Sequence, residues 1–305
     1  MKRTSARVAA AVLATVVATL VTGCTGDTPH PRNAPGARNA AATPAPAGLR
    51  PLTEAEQLRV ADAQQRLIKD CMAREGFTYH EAERLSLEES RTFGYVSDDV
   101  DWARAHGYGS RIRAKHEQAK RANPNLAHRQ GLPAERRAAY DKALDEGVDA
   151  PELTAELPTG GTVRKRVGGC VAESEKHLYG DPKAWFRAEK TAMSLQPLYV
   201  PKVMADRRFT AALADWSACM ERAGHPYKNP AEARQAQPAS FEAERKLAVA
   251  DATCARDSRL RVIGKELETQ YVNALRGQYG EALDTYARLR LRALAQAAKL
   301  VAPRA

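Results

Sequence analysis

Cys71-Met72-Ala73-Arg74-Glu75-Gly76-Phe77-Thr78-Tyr79 and Cys219-Met220-Glu221-Arg222-Ala223-Gly224-His225-Pro226-Tyr227 are two copies of one pattern, C-M-x-R-x-G-x-x-Y. Five of the nine positions are identical, at an offset of 148 residues. The pattern describes a helix end. The cysteine and methionine fall in the last turns, and the glycine is placed for the left-handed position just past the helix. The arginine meets the negative end of the helix dipole. Two such ends predict two half-units of similar build, over 53–180 and 205–300.

Helical patterning extends outward from both copies. Thr53 with Glu56 three residues on forms a capping box. Behind it Leu58, Ala61, Leu67, Ile68, Cys71 and Met72 approximate helical spacing, and Gly76 is the stop. Further helices are expected over 98–106, 110–122, 133–146, from Gly168-Gly169 to Gly180, and over 183–196 and 205–223. Phe241 to Leu300 holds no proline and places an apolar residue every three or four positions. As one helix these 60 residues would run about 90 Å. A 255-residue body has a radius of gyration near 18 Å, roughly, so Gly277 and Gly280 are the expected breaks in a long C-terminal helix. No alternating stretch argues for a strand. The fold class read from residues 51–305 is all-α.

The first 50 residues read differently. Lys2, Arg3 and Arg7 precede an uninterrupted Ala/Val/Leu/Thr run from Val8 to Val21. Fourteen residues make a helix of about 21 Å, short of the roughly 30 Å core of a bilayer. This is the h-region of a signal peptide over 1–23. It ends in Val21-Thr22-Gly23-Cys24, small residues before a cysteine, as in the bacterial lipobox. Diacylglycerol on the Cys24 thiol is the expected anchor. Residues 24–50 are rich in Pro, Ala, Gly and Asn and read as a disordered tether.

Setting Cys24 aside leaves Cys71, Cys170, Cys219 and Cys254, an even number in an exported chain. Three connectivities are possible. The repeated helix end favours Cys71–Cys170 and Cys219–Cys254, each half bridging its own cysteines. The spans are 99 and 35 residues, so the first half carries 64 extra residues, roughly within Glu81–Arg166. These are read as extra helices covering the core.

The Val21–Cys24 site, the paired C-M-x-x-x-G motifs, Gly169-Cys170 with Leu178-Tyr179-Gly180, and Ala205-Asp206 with Trp216-Ser217-Ala218-Cys219-Met220 resemble a group of actinobacterial lipoproteins. The resemblance covers most of residues 53–260. It implies an extracytoplasmic, disulfide-paired helical domain, and it implies no activity. His225 stands where the group usually has an aromatic residue.

The chain offers little chemistry by motif. It has no P-loop and no G-x-S-x-G. Gly107-Tyr108-Gly109 meets Ile112 where G-x-G-x-x-G needs glycine. His80-Glu81 and His116-Glu117 are followed by Arg84 and Lys120 where a zincin needs histidine. No metal or cofactor is expected. Ser97-Asp98-Asp99-Val100-Asp101 has acids but lacks the glycine and terminal glutamate of a calcium loop, and reads as a helix start with Ser97 as N-cap. Trp102, Trp185 and Trp216 read as core.

The 305 residues carry 47 Lys and Arg against 37 Asp and Glu, a net charge of +10. Without residues 1–23 the excess is 44 over 37, or +7. Arg111-Ile112-Arg113-Ala114-Lys115 with Lys120-Arg121, Arg136-Arg137 and Arg164-Lys165-Arg166 form basic clusters. They read as solvated faces, with anionic lipid or wall polymers as conceivable targets and no nucleic-acid role.

The function expected is that of a lipid-anchored protein on the outer face of the cell membrane, binding or assisting an envelope partner such as a transporter. Its C-terminal helix is the expected contact surface. The alternative is a wall-modifying enzyme using dispersed carboxylates.

Overall fold

The C-M-x-R-x-G ends form as written, and both do it the same way. In a computed structural model of the chain, the N–H of Phe77 donates to the carbonyl of Met72 and that of Gly76 to Ala73. His225 donates to Met220, and Gly224 to Glu221, in the second copy. These are the two bonds of a Schellman cap. Gly76 (φ +79°) and Gly224 (φ +82°) take the left-handed position the motif requires. The structure describes residue 46 and residues 48–82, 85–147 and 150–302. The expected signal segment, Cys24 and all but the last few residues of the expected tether lie outside them. Arg50, expected in the tether, is already docked: its guanidinium holds both oxygens of Glu56 at 2.7 and 2.6 Å.

The first helix, α1 (Glu54–Arg74), carries the expected capping box at Thr53 and Glu56. Its N3 carboxylate is held down to about 2 by Arg50 and by the Thr53 amide. Then come α2 (Val100–His106), α3 (Ser110–Arg121), α4 (Pro124–Gly131) and α5 (Ala134–Asp145). Strands β1 (Glu152–Glu156) and β2 (Thr162–Arg166) follow. The chain continues through α6 (Gly169–Tyr179), α7 (Pro182–Met193), α8 (Gln196–Ala205), α9 (Arg207–Arg222), the short α10 (Pro230–Gln235), α11 (Phe241–Asp257), α12 (Leu260–Ala274) and α13 (Arg276–Leu300). The body is helical and closed by the two expected disulfides. Cys71 bonds Cys170 and Cys219 bonds Cys254, each with Cα atoms 5.5 Å apart.

Several expectations need correction. The antiparallel hairpin β1–β2, with Ala155 opposite Val163, is an addition to the all-α reading. Ala155 is its one buried strand residue, so it leaves almost no alternation to read. Helices α4 and α8 were not expected either. Both start on proline-containing turns, at Pro124 and Pro197. The start of α2 is capped by Asp99, which accepts from the Trp102 N–H at 2.9 Å, and not by Ser97.

The 241–300 stretch breaks at Ser258–Arg259 and at Leu275, not at Gly277 or Gly280, which lie inside α13. The Ser258 hydroxyl donates to the carbonyls of Cys254 and Ala255, at 2.7 and 3.4 Å. A side chain that takes helix carbonyls competes with continuation, and Arg259 turns left-handed (φ +57°). Glycine inside an exposed helix costs only about 1 kcal/mol relative to alanine, so Gly277 and Gly280 can be carried within α13.

The half-units match at one helix end but not beyond it. The first disulfide joins the end of α1 to the first turn of α6; the second joins the end of α9 to the end of α11. Nor do the halves separate. Helix α13 buries Ala293 and Ala297 completely against Leu52, Val60, Ala63 and Leu178 of α1, its lead-in and α6. Arg59 of α1 donates to the Val301 carbonyl at the end of α13 at 2.9 Å. Arg292 of α13 donates to Leu178 and His177 carbonyls at the end of α6, at 2.5 and 3.0 Å. The apolar stripe expected to serve as a contact surface is therefore an internal seam.

The 64-residue excess is more than a cover. Its Gly107–Ser110 turn is keyed into the second half by Glu244 of α11. That carboxylate accepts from the Tyr108 and Ser110 amides at 2.8 and 3.2 Å and from the Ser110 hydroxyl. It caps α3, whose own N-cap, Gly109, has no side chain to do so.

Gly169 offers a sharp test of the α5–α6 approach beside the first disulfide. It sits at φ +54°, and a Cβ there would lie 2.4 Å from the Ala143 carbonyl oxygen. Gly224 is also left-handed but faces open space. Gly169→Ala is expected to cost roughly 3–5 kcal/mol, conformational strain plus backbone collision. Gly224→Ala should cost about 1–2 kcal/mol, strain alone. Urea unfolding midpoints with intact disulfides measure both; equal losses would show that the close approach is absent.

Candidate functional site

A concavity lies between α8 and α12. It encloses about 490 Å³, within the range of small-molecule sites. The extended segment at residues 94–96 closes its third side. Arg234 of α10 holds that segment through the carbonyls of Gly94 and Tyr95. Tyr95 meets Phe209 edge-on, with ring centroids 5.4 Å apart.

The floor is apolar: Val96, Val203, Phe209 and Leu260 are all buried. Gly264 matters here. A Cβ at that position would stand 3.4 Å from the edge of the buried Phe209 ring, so the glycine lets α12 pack close to that ring without placing a side chain in the groove. The rim is polar. Tyr199 of α8 donates its hydroxyl to Glu268 of α12 at 2.7 Å. Burial and that carboxylate push the phenol's pKa up, keeping it a donor. Arg261, on the same face of α12, is paired with Asp98 at 2.7 Å. Lys265 lines the groove and is exposed. A second concavity of about 350 Å³ adjoins on the other side of Arg261 and Lys265. Exposed Val200 and Val262 flank the pair of hollows.

None of these residues stood out as a site in the sequence. The readable signal was a run of Arg261, Gly264, Lys265 and Glu268 at i, i+3, i+4 and i+7, a polar stripe in an otherwise apolar-periodic segment. Tyr199 lies 69 residues away from Glu268, and no local pattern links them.

Of the residues that did stand out, Asp98 lines the second concavity and the others are placed elsewhere. Asp98 and Asp99 pair with Arg261 and Arg91, and Asp101 with Arg104. Among the described residues no group of three His, Cys, Asp or Glu could hold a metal ion. Trp102, Trp185 and Trp216 are core, Trp216 fully so. Of the basic clusters, α3 buries no residue. Arg111 lies over the Phe241 ring at 3.7 Å, Lys115 pairs with Glu89, and Lys120 with Glu117. Lys165 pairs with the buried Glu175 of α6.

A second polar centre is buried between the halves. Asp251 of α11 accepts from the Trp216 indole at 2.9 Å and from the Tyr108 hydroxyl at 3.0 Å. It is 4% exposed. Burial pushes its carboxyl up to about 6, against the pull of those two donors. It faces none of the concavities above. No protein-family model, curated protein or solved structure matches this chain.

The folded protein holds the Asp251 proton more tightly than the unfolded chain, whose carboxyl titrates near 3.8. The resulting stabilisation is full below that value and is lost as pH rises through about 6. Asp251→Asn keeps an oxygen for Trp216 and removes the titration. Between about pH 4 and pH 7 the wild type should lose roughly 2–3 kcal/mol relative to the variant. Unfolding curves of the two proteins across that interval measure it. A constant difference would show that folding does not raise the Asp251 carboxyl's pKa.

Proposed function

We propose that this chain is an exported, lipid-anchored binding protein. Its body stands off the outer face of the membrane on a tether from Cys24, and its ligand seat is the groove between α8 and α12. One observation carries the binding part: a concavity of about 490 Å³ with an apolar floor and a few convergent polar groups. The export part rests on the sequence of residues 1–24 and on four remaining cysteines that close two bridges, a use of cysteine suited to an oxidising exterior.

Two acyl chains from diacylglycerol on Cys24 anchor stably where one chain is marginal. Helix α3, with Arg111, Arg113, Lys115, Lys120 and Arg121 against Glu117, adds attraction to anionic headgroups or wall polymers. An envelope partner such as a transporter would receive what the groove holds.

The alternative, a wall-modifying enzyme, calls for two close carboxylates with raised pKa in one pocket. Glu268 is the carboxylate on the groove lining, and Asp251 is enclosed by Tyr108 and Trp216. We therefore favour binding over catalysis.

Cys24→Ala should move the protein from the membrane pellet to the soluble fraction after a high-salt wash; continued sedimentation would defeat the anchor. The groove is tested apart from the anchor with an environment-sensitive apolar dye. Gly264→Leu, which adds a side chain to the groove lining beside Phe209, should weaken dye binding at least tenfold while circular dichroism stays unchanged. Val200→Glu, on the exposed flank, serves as the companion variant. Unchanged dye binding in both would remove the groove as a site.

A further inference from the structure

We propose that the groove between α8 and α12 takes a small zwitterion with an apolar side chain, the chemical class of free amino acids and short peptides. This rests on the reading of the groove as a ligand seat and adds what it selects.

The charges of the rim point there. Of the two cations on the groove face of α12, Arg261 is occupied by Asp98 at 2.7 Å. The Lys265 ammonium has no ion-pair or hydrogen-bond partner among the described residues, although its carbonyl accepts from the Thr269 hydroxyl at 2.9 Å. Glu268 is three residues further on, a spacing at which Lys and Glu commonly pair. Here no ion pair within 4.0 Å joins them; the carboxylate turns instead toward α8 and accepts from Tyr199 at 2.7 Å. The phenol holds the carboxylate in place and leaves its charge uncompensated. One cation and one anion thus stand a helical turn apart over the same apolar floor, each without an ionic partner.

Simpler ligands fit less well. A carboxylate with an apolar tail would meet Lys265 but bring like charge to Glu268. An amine with the same tail would meet Glu268 and oppose Lys265. A neutral apolar molecule would use neither. A molecule with both charges satisfies both, and its side chain lies along the apolar lining beside Val203, Phe209 and Leu260. Because the rim is exposed, the charges govern which ligand is accepted more than how tightly it is held.

The experiment is calorimetric titration of the full chain in detergent with four probes: leucine, leucyl-leucine, N-acetyl-leucine and leucinamide. Leucine or leucyl-leucine is expected to bind, and which of the two binds tighter separates an amino-acid seat from a peptide seat. Acetylation removes the cation and amidation removes the anion. Each should weaken binding at least tenfold. Lys265→Gln should abolish the discrimination against leucinamide, and Glu268→Gln that against N-acetyl-leucine; both substitutions are on exposed positions. Equal binding of blocked and free probes overturns the proposal. So does failure of every probe to bind; if the apolar dye still fills the groove, the ligand class is wrong and the groove reading stands. If the dye fails too, both fall.

Discussion

Cys71–Cys170 closes a loop of 99 residues, and the first half is organised around that closure. The bond ties the last turn of α1 to the first turn of α6 in a cluster with Met72, Phe77 and Tyr140. In chain-entropy terms closures of this size remove about 4–5 kcal/mol of unfolded-state freedom. The protein needs such a constraint. Only 6% of its residues are aromatic, and α3 and α4 bury nothing. Hydrophobic burial in the region between the two cysteines is thin. The covalent tie brings α1 and α6 together, and α13 then lays Ala293 and Ala297 against both. Alanine is what the seam requires, since small side chains let helices approach closely. The caps exchanged through Arg59 and Arg292 satisfy carbonyls at two helix ends there.

The halves are joined by polar contacts as much as by apolar ones. Glu244 and Asp251, seven residues apart on α11, both face the Gly107–Ser110 turn of the inserted region. Buried carboxylates are costly unless their oxygens are used. Glu244 takes two amides and a hydroxyl; Asp251 takes an indole and a phenol. Hydrogen bonds at fixed positions locate one turn in a way a patch of leucines would not. Beyond that turn α3 has little to hold it, and local opening is expected to begin there.

What the sequence made legible follows from the range of each interaction. The capping box at Thr53 and Glu56 and the stops at Gly76 and Gly224 are made within a few residues, and all form. The cysteine pairing was legible because a nine-residue pattern recurs. The breaks at Ser258 and Leu275 were missed because glycine propensity is weaker than the geometry imposed on α11 and α12 by their partners. The hairpin was missed because its inward face amounts to Ala155 and little more. Tyr199 and Glu268 were invisible because neither carries a local signature; their meaning comes from two helices that only the fold brings together.

The second disulfide bears directly on the groove. Cys254 is bonded to Cys219, and four residues later the Ser258 hydroxyl takes the Cys254 carbonyl. Arg259 then turns left-handed and α12 begins at Leu260, itself fully buried on the groove floor. The direction in which α12 leaves α11 is therefore set within five residues of a covalent bond. That direction decides where Arg261, Gly264, Lys265 and Glu268 point. On the opposite wall Tyr199 reaches across to Glu268 and fixes the spacing of α8 from α12. The lining is thus held by a short covalent path on one side and a hydrogen bond on the other. A pre-formed seat loses little freedom when a ligand enters, which suits a groove that selects by the placement of two charges rather than by closing over its ligand.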